Sequence, residues 1–310
     1  MAIGSGSTLG RKLRGVLAVP GIDVEIPYTD ARGLADGPTV LVTGGVHGGE
    51  YPGIAAAVET ARRLDPAVLR GRVLVVHLTN PPAFWGKTQY WNPLDGRNLN
   101  RCFPGDPEGS ASERMAAAVF GLAREADYWI DLHGGDIHEA LVPFSNCVDS
   151  GLGSAGEVSR RMAEAYGIPR VITSDGSGAC TYEAAVRAGI PAILTEAGQV
   201  GQLDPACVRM HVDGVENVLR LVGVLPGAPA PHPDLVVYEN FDWVRAASAG
   251  LWQRRVEPGQ TVRAGEVGGT LTDVYGDLVE EVRVPADGEL IFIATSLAIG
   301  RDDPLLAVAH

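Results

Sequence analysis

Up to about residue 222 the chain alternates short apolar, β-rich runs with stretches of helical composition, and this alternation restricts it to layered α/β folds with a largely parallel or mixed sheet. TVLVTGG (39–45) is an apolar run that ends in glycines, and IAAAVETARRL (54–64) follows with helical composition. RVLVVHLTN (72–80) reads as a second buried strand, and residues 81–109 as a long loop rich in Pro, Gly and Asn. Loops of that length inside a compact domain are usually functional. Ser110 and Glu113 form a capping-box signature for a helix to about Ala126. Strands are expected at YWIDLH (128–133), LVPFSNC (141–147), RVITSD (170–175) and PAILTEAG (191–198), with a helix over 155–166. Asp204 and Pro205 suit the cap and first position of a helix running to about Val222.

The pattern changes at VLPGAPAPHPDL (224–235), a proline-rich stretch that reads as a linker. Beyond it, strand-like pieces such as LWQRRV, GGTLTDVYG and GELIFIAT are separated by the turn signals EPGQ, RAGE and PADGE, which predicts a small β domain. The expected division is a catalytic α/β domain over 1–225 and a C-terminal β domain over 236–310, consistent with 310 residues. A formal net charge of -13 disfavours nucleic acid as a general partner. No run approaches the roughly 20 apolar residues that a membrane-spanning helix needs. The N-terminal MAIGSGSTLGRKLRG lacks an apolar segment of signal-peptide length. The cysteines Cys102, Cys147, Cys180 and Cys207 include no C-x-x-C pair and read as packing residues. A cytoplasmic location without membrane association is the resulting expectation; oligomeric state stays open, a homo-oligomer included.

In α/β folds, catalytic groups gather at the C-terminal ends of strands. Three such ends carry candidate chemistry. VHGGE follows the first strand and places His47 and Glu50 three residues apart; His133 closes YWIDLH; Glu196 closes PAILTE. Alone, each has an ordinary reading as a hydrogen-bonded loop or core residue. Together they offer two imidazoles and a carboxylate, a known catalytic zinc set with an open fourth position, and a further carboxylate suited to general base work. Asp131 shares a strand face with His133 and could orient it or pair with a buried arginine. His138 reads as a surface loop residue and His77 as a core residue.

At these residues a resemblance emerges. GGVHGGEYPG resembles the first zinc motif of the succinylglutamate desuccinylase/aspartoacylase family, within the zinc carboxypeptidase superfamily. DGRNLNRCFPG resembles that family's Asn-Arg substrate loop, IDLHGG the segment of its third zinc ligand, and LTEAGQVG that of its catalytic glutamate. Within the family, NRCFPGDPEGS is most similar to the N-acetyl-diaminobutyrate deacetylase type. The resemblance implies a carboxypeptidase-like mixed sheet with helices on both faces plus a small all-β C-terminal domain. It implies Zn2+ held by His47, Glu50 and His133, Glu196 as catalytic base, and Asn100 and Arg101 as the anchor of a substrate carboxylate. A planar guanidinium suits that last role because it meets a carboxylate bidentately. One departure concerns a further arginine that often polarises the scissile carbonyl in the family: Lys87 and Arg97 lie nearby, but neither matches.

The expected activity is zinc-dependent hydrolysis of the amide bond of a small N-acyl amino acid or derivative. The alternative is a zinc carboxypeptidase acting on a peptide C-terminus, which could use the same residues. A catalytically dead carboxylate-binding protein has no need of Glu196. A structural zinc module normally closes its site with four protein ligands, and only three are evident.

Overall fold

The computed structural model describes residues 9–148 and 150–310. Residues 1–8, more than half of the polar N-terminal segment discussed above, lie outside the described residues. In chain order the first strands and helices are β1 (Arg11–Ala18), β2 (Glu25–Arg32), β3 (Ala35–Gly44), α1 (Tyr51–Arg63), β4 (Arg70–Val76), α2 (Pro81–Gly86), α3 (Ala111–Ala123) and β5 (Tyr128–His133). They continue with β6 (Glu139–Leu141), β7 (Phe144–Val148), α4 (Gly153–Tyr166), β8 (Arg170–Ser174), α5 (Thr181–Arg187), β9 (Ala192–Glu196), α6 (Pro205–Leu221) and β10 (Val236–Tyr238). Only strands follow: β11 (Phe241–Arg245), β12 (Gly250–Arg254), β13 (Thr261–Val262), β14 (Val267–Thr272), β15 (Leu278–Arg283), β16 (Gly288–Ala294), β17 (Ala298–Ile299) and β18 (Pro304–Ala309).

The main sheet has the order β1-β2-β4-β3-β5-β9-β7-β8-β10. Its centre, β4-β3-β5-β9, is parallel, whereas β1, β2 and β4 pair antiparallel and β7 runs antiparallel to β9. The continuous apolar character of β3 and β5 follows from burial on both faces. On one face α3 and α5 pack through Met115, Val119, Phe120 and Ala185 against Leu41, Leu74 and Leu194. On the other, α1, α4 and α6 pack through Ala57, Met162 and Val215 against Val42, Ile130 and Ile193. The helices expected at Ser110 and Asp204 begin where their caps predict. Ser110 and Glu113 form the reciprocal box, and the Asp204 side chain accepts from the Ala206 amide.

Four features depart from the sequence reading. The edge strand β1 and its neighbour β2 were not foreseen, nor was the short α5. The 81–109 loop opens with α2 and holds a 3-10 turn at Leu99–Arg101. The single strand expected over 141–147 is two strands in two sheets. Pro143 separates them and has no N–H with which to continue a ladder. Glu139–Leu141 pairs with β16, while Phe144–Val148 pairs with β9 and β8. The proline-rich stretch is anchored at both ends. Val224 is fully buried and its carbonyl accepts from the Arg70 amide, while Val236–Tyr238 joins the main sheet beside β8. The last strands form two small sheets, β11-β18-β16-β13 with β6 attached to β16, and β15-β14-β12-β17. Their shared core includes Trp252, Leu271, Ile293 and Leu306.

Candidate active site

Parallel strands that start level end level, and here β3, β5 and β9 deliver the candidate residues to one edge of the sheet. His133 and Glu196 are direct register partners at the ends of β5 and β9. The turn after β3 carries His47 and leads into α1, whose cap position is Glu50. Glu50 makes no capping hydrogen bond, because its carboxylate faces the two imidazoles instead. His47, Glu50 and His133 are all buried, and one ligand-type atom from each lies within 4.8 Å of the others.

The ring orientations are set from outside this group. His47 Nε2 lies 3.0 Å from Asn98 Oδ1. That oxygen already accepts from the Asn100 amide, so it receives a second proton, from His47. His133 Nε2 lies 2.8 Å from Asp131 Oδ2. With both Nε2 protons held in this way, the two Nδ1 atoms face Glu50, at 2.6 Å for His47 and 2.9 Å for His133. The second contact is close but lacks hydrogen-bond alignment: His133 Nδ1 and Glu50 Oε2 are both buried without a hydrogen-bond partner. Two lone-pair atoms brought together in this way need a positive charge between them, and the protein's electrostatics ask for the same thing. Burial disfavours charge on His133 and His47, but the neighbouring carboxylates, Glu50 first and for His133 Asp131 as well, raise both, His133 well above the ordinary imidazole value. Burial works against the Glu50 anion too, but the two histidines, His133 first, hold it down to about 2. Two imidazole nitrogens and a carboxylate oxygen converging on one point fit a divalent cation of the zinc class.

Asp131 is fully buried and does not pair with an arginine among the described residues; it holds His133. Its carboxylate accepts from Thr43 Oγ1 and Thr181 Oγ1, each at 2.5 Å, besides His133. Glu196 stands beside the group with Oε2 buried and unpartnered. Burial, then the charge of Glu50, pushes its carboxyl up to about 8. A cation at the neighbouring point counters that shift.

His47, Glu50 and Glu196 line a cavity of about 1000 Å³ that also takes in Asn100 and Arg101. Asn100 Oδ1 accepts from the Thr181 amide at the start of α5, which fixes the loop and leaves its Nδ2 donor unused among the described residues. Arg101 is exposed to the cavity, bonds to the Asn100 carbonyl and Cys180 Sγ, and makes no ion pair among the described residues. Lys87 does not line the cavity. Arg97 does, but it is held at 2.8 Å by Glu113. Arg245 and Arg301 line the cavity from the C-terminal region, bonded to the Asp302 and Ala247 carbonyls and without an ion pair among the described residues. His138 is exposed, His77 is half-buried with its Nε2 at Thr29 Oγ1, and Cys102 and Cys147 are buried. Sequence reasoning passed over Asn98, Thr43 and Thr181, which orient the site, and Glu139, a cavity carboxyl that burial pushes up to about 8. Asn98 stood inside the quoted loop motif; the others had no local signal.

The catalytic-domain model of the succinylglutamate desuccinylase/aspartoacylase family matches residues 36–222. The chain is 31% identical to the N-alpha-acetyl-L-2,4-diaminobutyric acid deacetylase of Halomonas elongata, across 93% of this chain and 86% of that one. Among solved structures, the product-bound ectoine utilization protein EutE (DoeB) from Ruegeria pomeroyi superposes with a TM-score of 0.87 at 26% identity, covering 98% of this chain and 97% of that one. A succinylglutamate desuccinylase/aspartoacylase from Rhodobacter sphaeroides gives 0.83 at 30% identity, covering 98% and 97%. Fold, site and likeness together define the class, an amide hydrolase built on a mixed α/β sheet. The chain belongs to the succinylglutamate desuccinylase/aspartoacylase family.

Proposed function

We propose that the protein is a zinc-dependent deacylase that splits the amide bond of a small N-acyl amino acid or derivative into a carboxylate and an amine. The observation that carries this reading is the pair of unpartnered buried atoms, His133 Nδ1 and Glu50 Oε2, held 2.9 Å apart beside an unpartnered Glu196. His47, Glu50 and His133 hold the metal in this reading. A zinc ion bound there supplies a Lewis acid that polarises the amide carbonyl and acidifies water. Glu196 accepts the proton of the attacking water and returns it to the leaving amine nitrogen. Arg101, with Asn100 beside it, holds the substrate carboxylate through the guanidinium donors it does not use within the protein. Residues 1–225 act as the catalytic unit, and 236–310 as a β unit that walls the cavity with Phe241, Trp243 and Arg245. The Halomonas relative's N-acetylated diamino acid is the first substrate to assay.

The test is metal analysis of the purified protein joined to a hydrolysis screen of N-acetyl, N-succinyl and N-formyl amino acids alongside short peptides. About one zinc per chain and turnover of free N-acyl amino acids are expected. Cleavage of peptides with no turnover of N-acyl amino acids would replace this reading with a carboxypeptidase.

A further inference from the structure

Four aromatic rings line the cavity in a continuous row that starts beside Glu196. Phe144 is the direct register partner of Glu196 across β7 and β9, so both side chains rise from the same face of the sheet. From Phe144 the row steps 5.8 Å to Phe241, 5.1 Å to Trp243 and 4.9 Å to Phe292, ring centre to ring centre. The last step crosses an entire strand. Trp243 and Phe292 both pair with Ala307, one from each side, and the small alanine leaves room for the rings to lean together above it. Phe144 and Phe292 are buried, whereas Trp243 is 44% exposed and presents its indole to the cavity. An acetyl group beside Glu196 needs space for one methyl. A row of this length, inside a cavity of about 1000 Å³, offers an apolar wall that a methyl leaves uncovered.

The geometry points to a substrate class: N-acyl amino acids that carry an aromatic or comparably bulky apolar group, seated on the Phe144–Phe241–Trp243–Phe292 wall while Arg101 holds the carboxylate. The inference rests on the deacylase reading and narrows it. A ring stacked against Trp243, the exposed ring of the row, gains both apolar burial and aromatic contact, neither of which an acetylated small amino acid can supply.

The experiment measures kcat/KM of the zinc-loaded enzyme for N-acetyl-L-alanine, N-acetyl-L-phenylalanine and N-phenylacetyl-L-alanine, in wild type, Trp243→Ala and Trp243→Phe. At least one ring-bearing substrate should exceed N-acetyl-L-alanine by tenfold or more, and the one that does so identifies the side of the amide facing the wall. Trp243→Ala should lower that ratio at least fivefold, and Trp243→Phe, which keeps a ring, should restore most of it. Melting curves of the three proteins check that the half-exposed position tolerates the changes; if the alanine variant does not fold, Trp243→Leu replaces it. Equal rates for all three substrates, or a ratio unmoved by loss of the ring, would overturn the wall as a specificity element while leaving the deacylase reading intact. No turnover of any of the three would overturn this inference, while the deacylase reading is decided separately by turnover of the Halomonas relative's N-acetylated diamino acid and of N-succinyl and N-formyl amino acids.

Discussion

Replacing Asp131 with asparagine tests whether His133 is held ready for a metal. The change is isosteric, so its effect comes from protons. Asp131 Oδ2 accepts from both His133 Nε2, at 2.8 Å, and Thr181 Oγ1, at 2.5 Å, while Oδ1 accepts from Thr43 Oγ1 at 2.5 Å. If the new amide nitrogen takes the Oδ2 position, it confronts the His133 Nε2 proton. The ring must then move that proton to Nδ1, the atom that faces Glu50. If it takes the Oδ1 position, Thr43 must stop donating, although it already accepts from Trp129 Nε1 at 2.8 Å, and its hydroxyl proton is left buried without a partner. An unsatisfied buried donor costs about 1–3 kcal/mol, and the surviving bond to His133 falls from charge-assisted, about 1.5–3 kcal/mol, to neutral, about 1. Either placement weakens zinc binding by about 1–3 kcal/mol, or roughly tenfold to a hundredfold, the usual range for a group that orients a metal-binding histidine. Competition against a chelating dye in metal buffer measures this directly, with far-UV circular dichroism as the control for folding. An Asp131→Asn protein that folds normally and holds zinc within twofold of wild type would refute the argument.

Glu196→Gln should keep its zinc by elemental analysis yet lose roughly a hundred- to ten-thousandfold in kcat, because the amide cannot accept the water proton; turnover within a few-fold of wild type places the base elsewhere. Arg101→Ala should lose more than tenfold in kcat/KM and flatten the preference for a carboxylate substrate over its carboxamide, with Arg101→Lys recovering part of it; unchanged discrimination by the alanine variant removes Arg101 as the anchor. His211 is fully buried, with Nε2 at the His133 and Ala197 carbonyls, and burial pushes it down to about 4. The unfolded chain therefore binds this proton first as pH falls below about 6.5, so wild type should lose roughly 2 kcal/mol more stability than His211→Gln between pH 6.5 and 5 in urea unfolding; parallel losses would show that His211 takes up its proton in the fold as readily as in the unfolded chain.

The alternation of apolar runs and helices was enough to read the α/β core, because strands buried on both faces must be apolar throughout, as β3 and β5 are. The caps at Ser110 and Asp204 were legible because a helix start is a local hydrogen-bonding problem. β1 was not, since RKLRGVLA on an exposed edge has no apolar signature, and β2, EIPYTDAR, carries a proline and three charges among its apolar residues. The site divides in the same way. His47, Glu50, His133 and Glu196 stood out because each sits at a strand end or in the turn that follows one, a position visible in the sequence, and the structure brings all four to one edge of the sheet. Thr181 and Asn98 did not, because their partners lie 50 and 51 residues away along the chain, and the wall did not, because Phe144, Phe241 and Phe292 come from strands far apart in sequence.

The break at Pro143 explains why the C-terminal strands belong to the site. Because β7 runs antiparallel to β9, its first residue, Phe144, rather than its last, stands level with Glu196. The residues just before it, Glu139–Leu141, therefore leave the main sheet at its catalytic edge, and there they pair with β16. Leu141, Phe144 and Ile172 then share one buried cluster with Ile291 and Ala309. Removing the C-terminal strands would strip β6 of its ladder and expose that cluster directly beside the proposed base. The β unit is thus continuous with the packing that positions Glu196, and a cavity wall made from it, Trp243 included, is held in register with the catalytic edge by backbone hydrogen bonds rather than by a hinged lid.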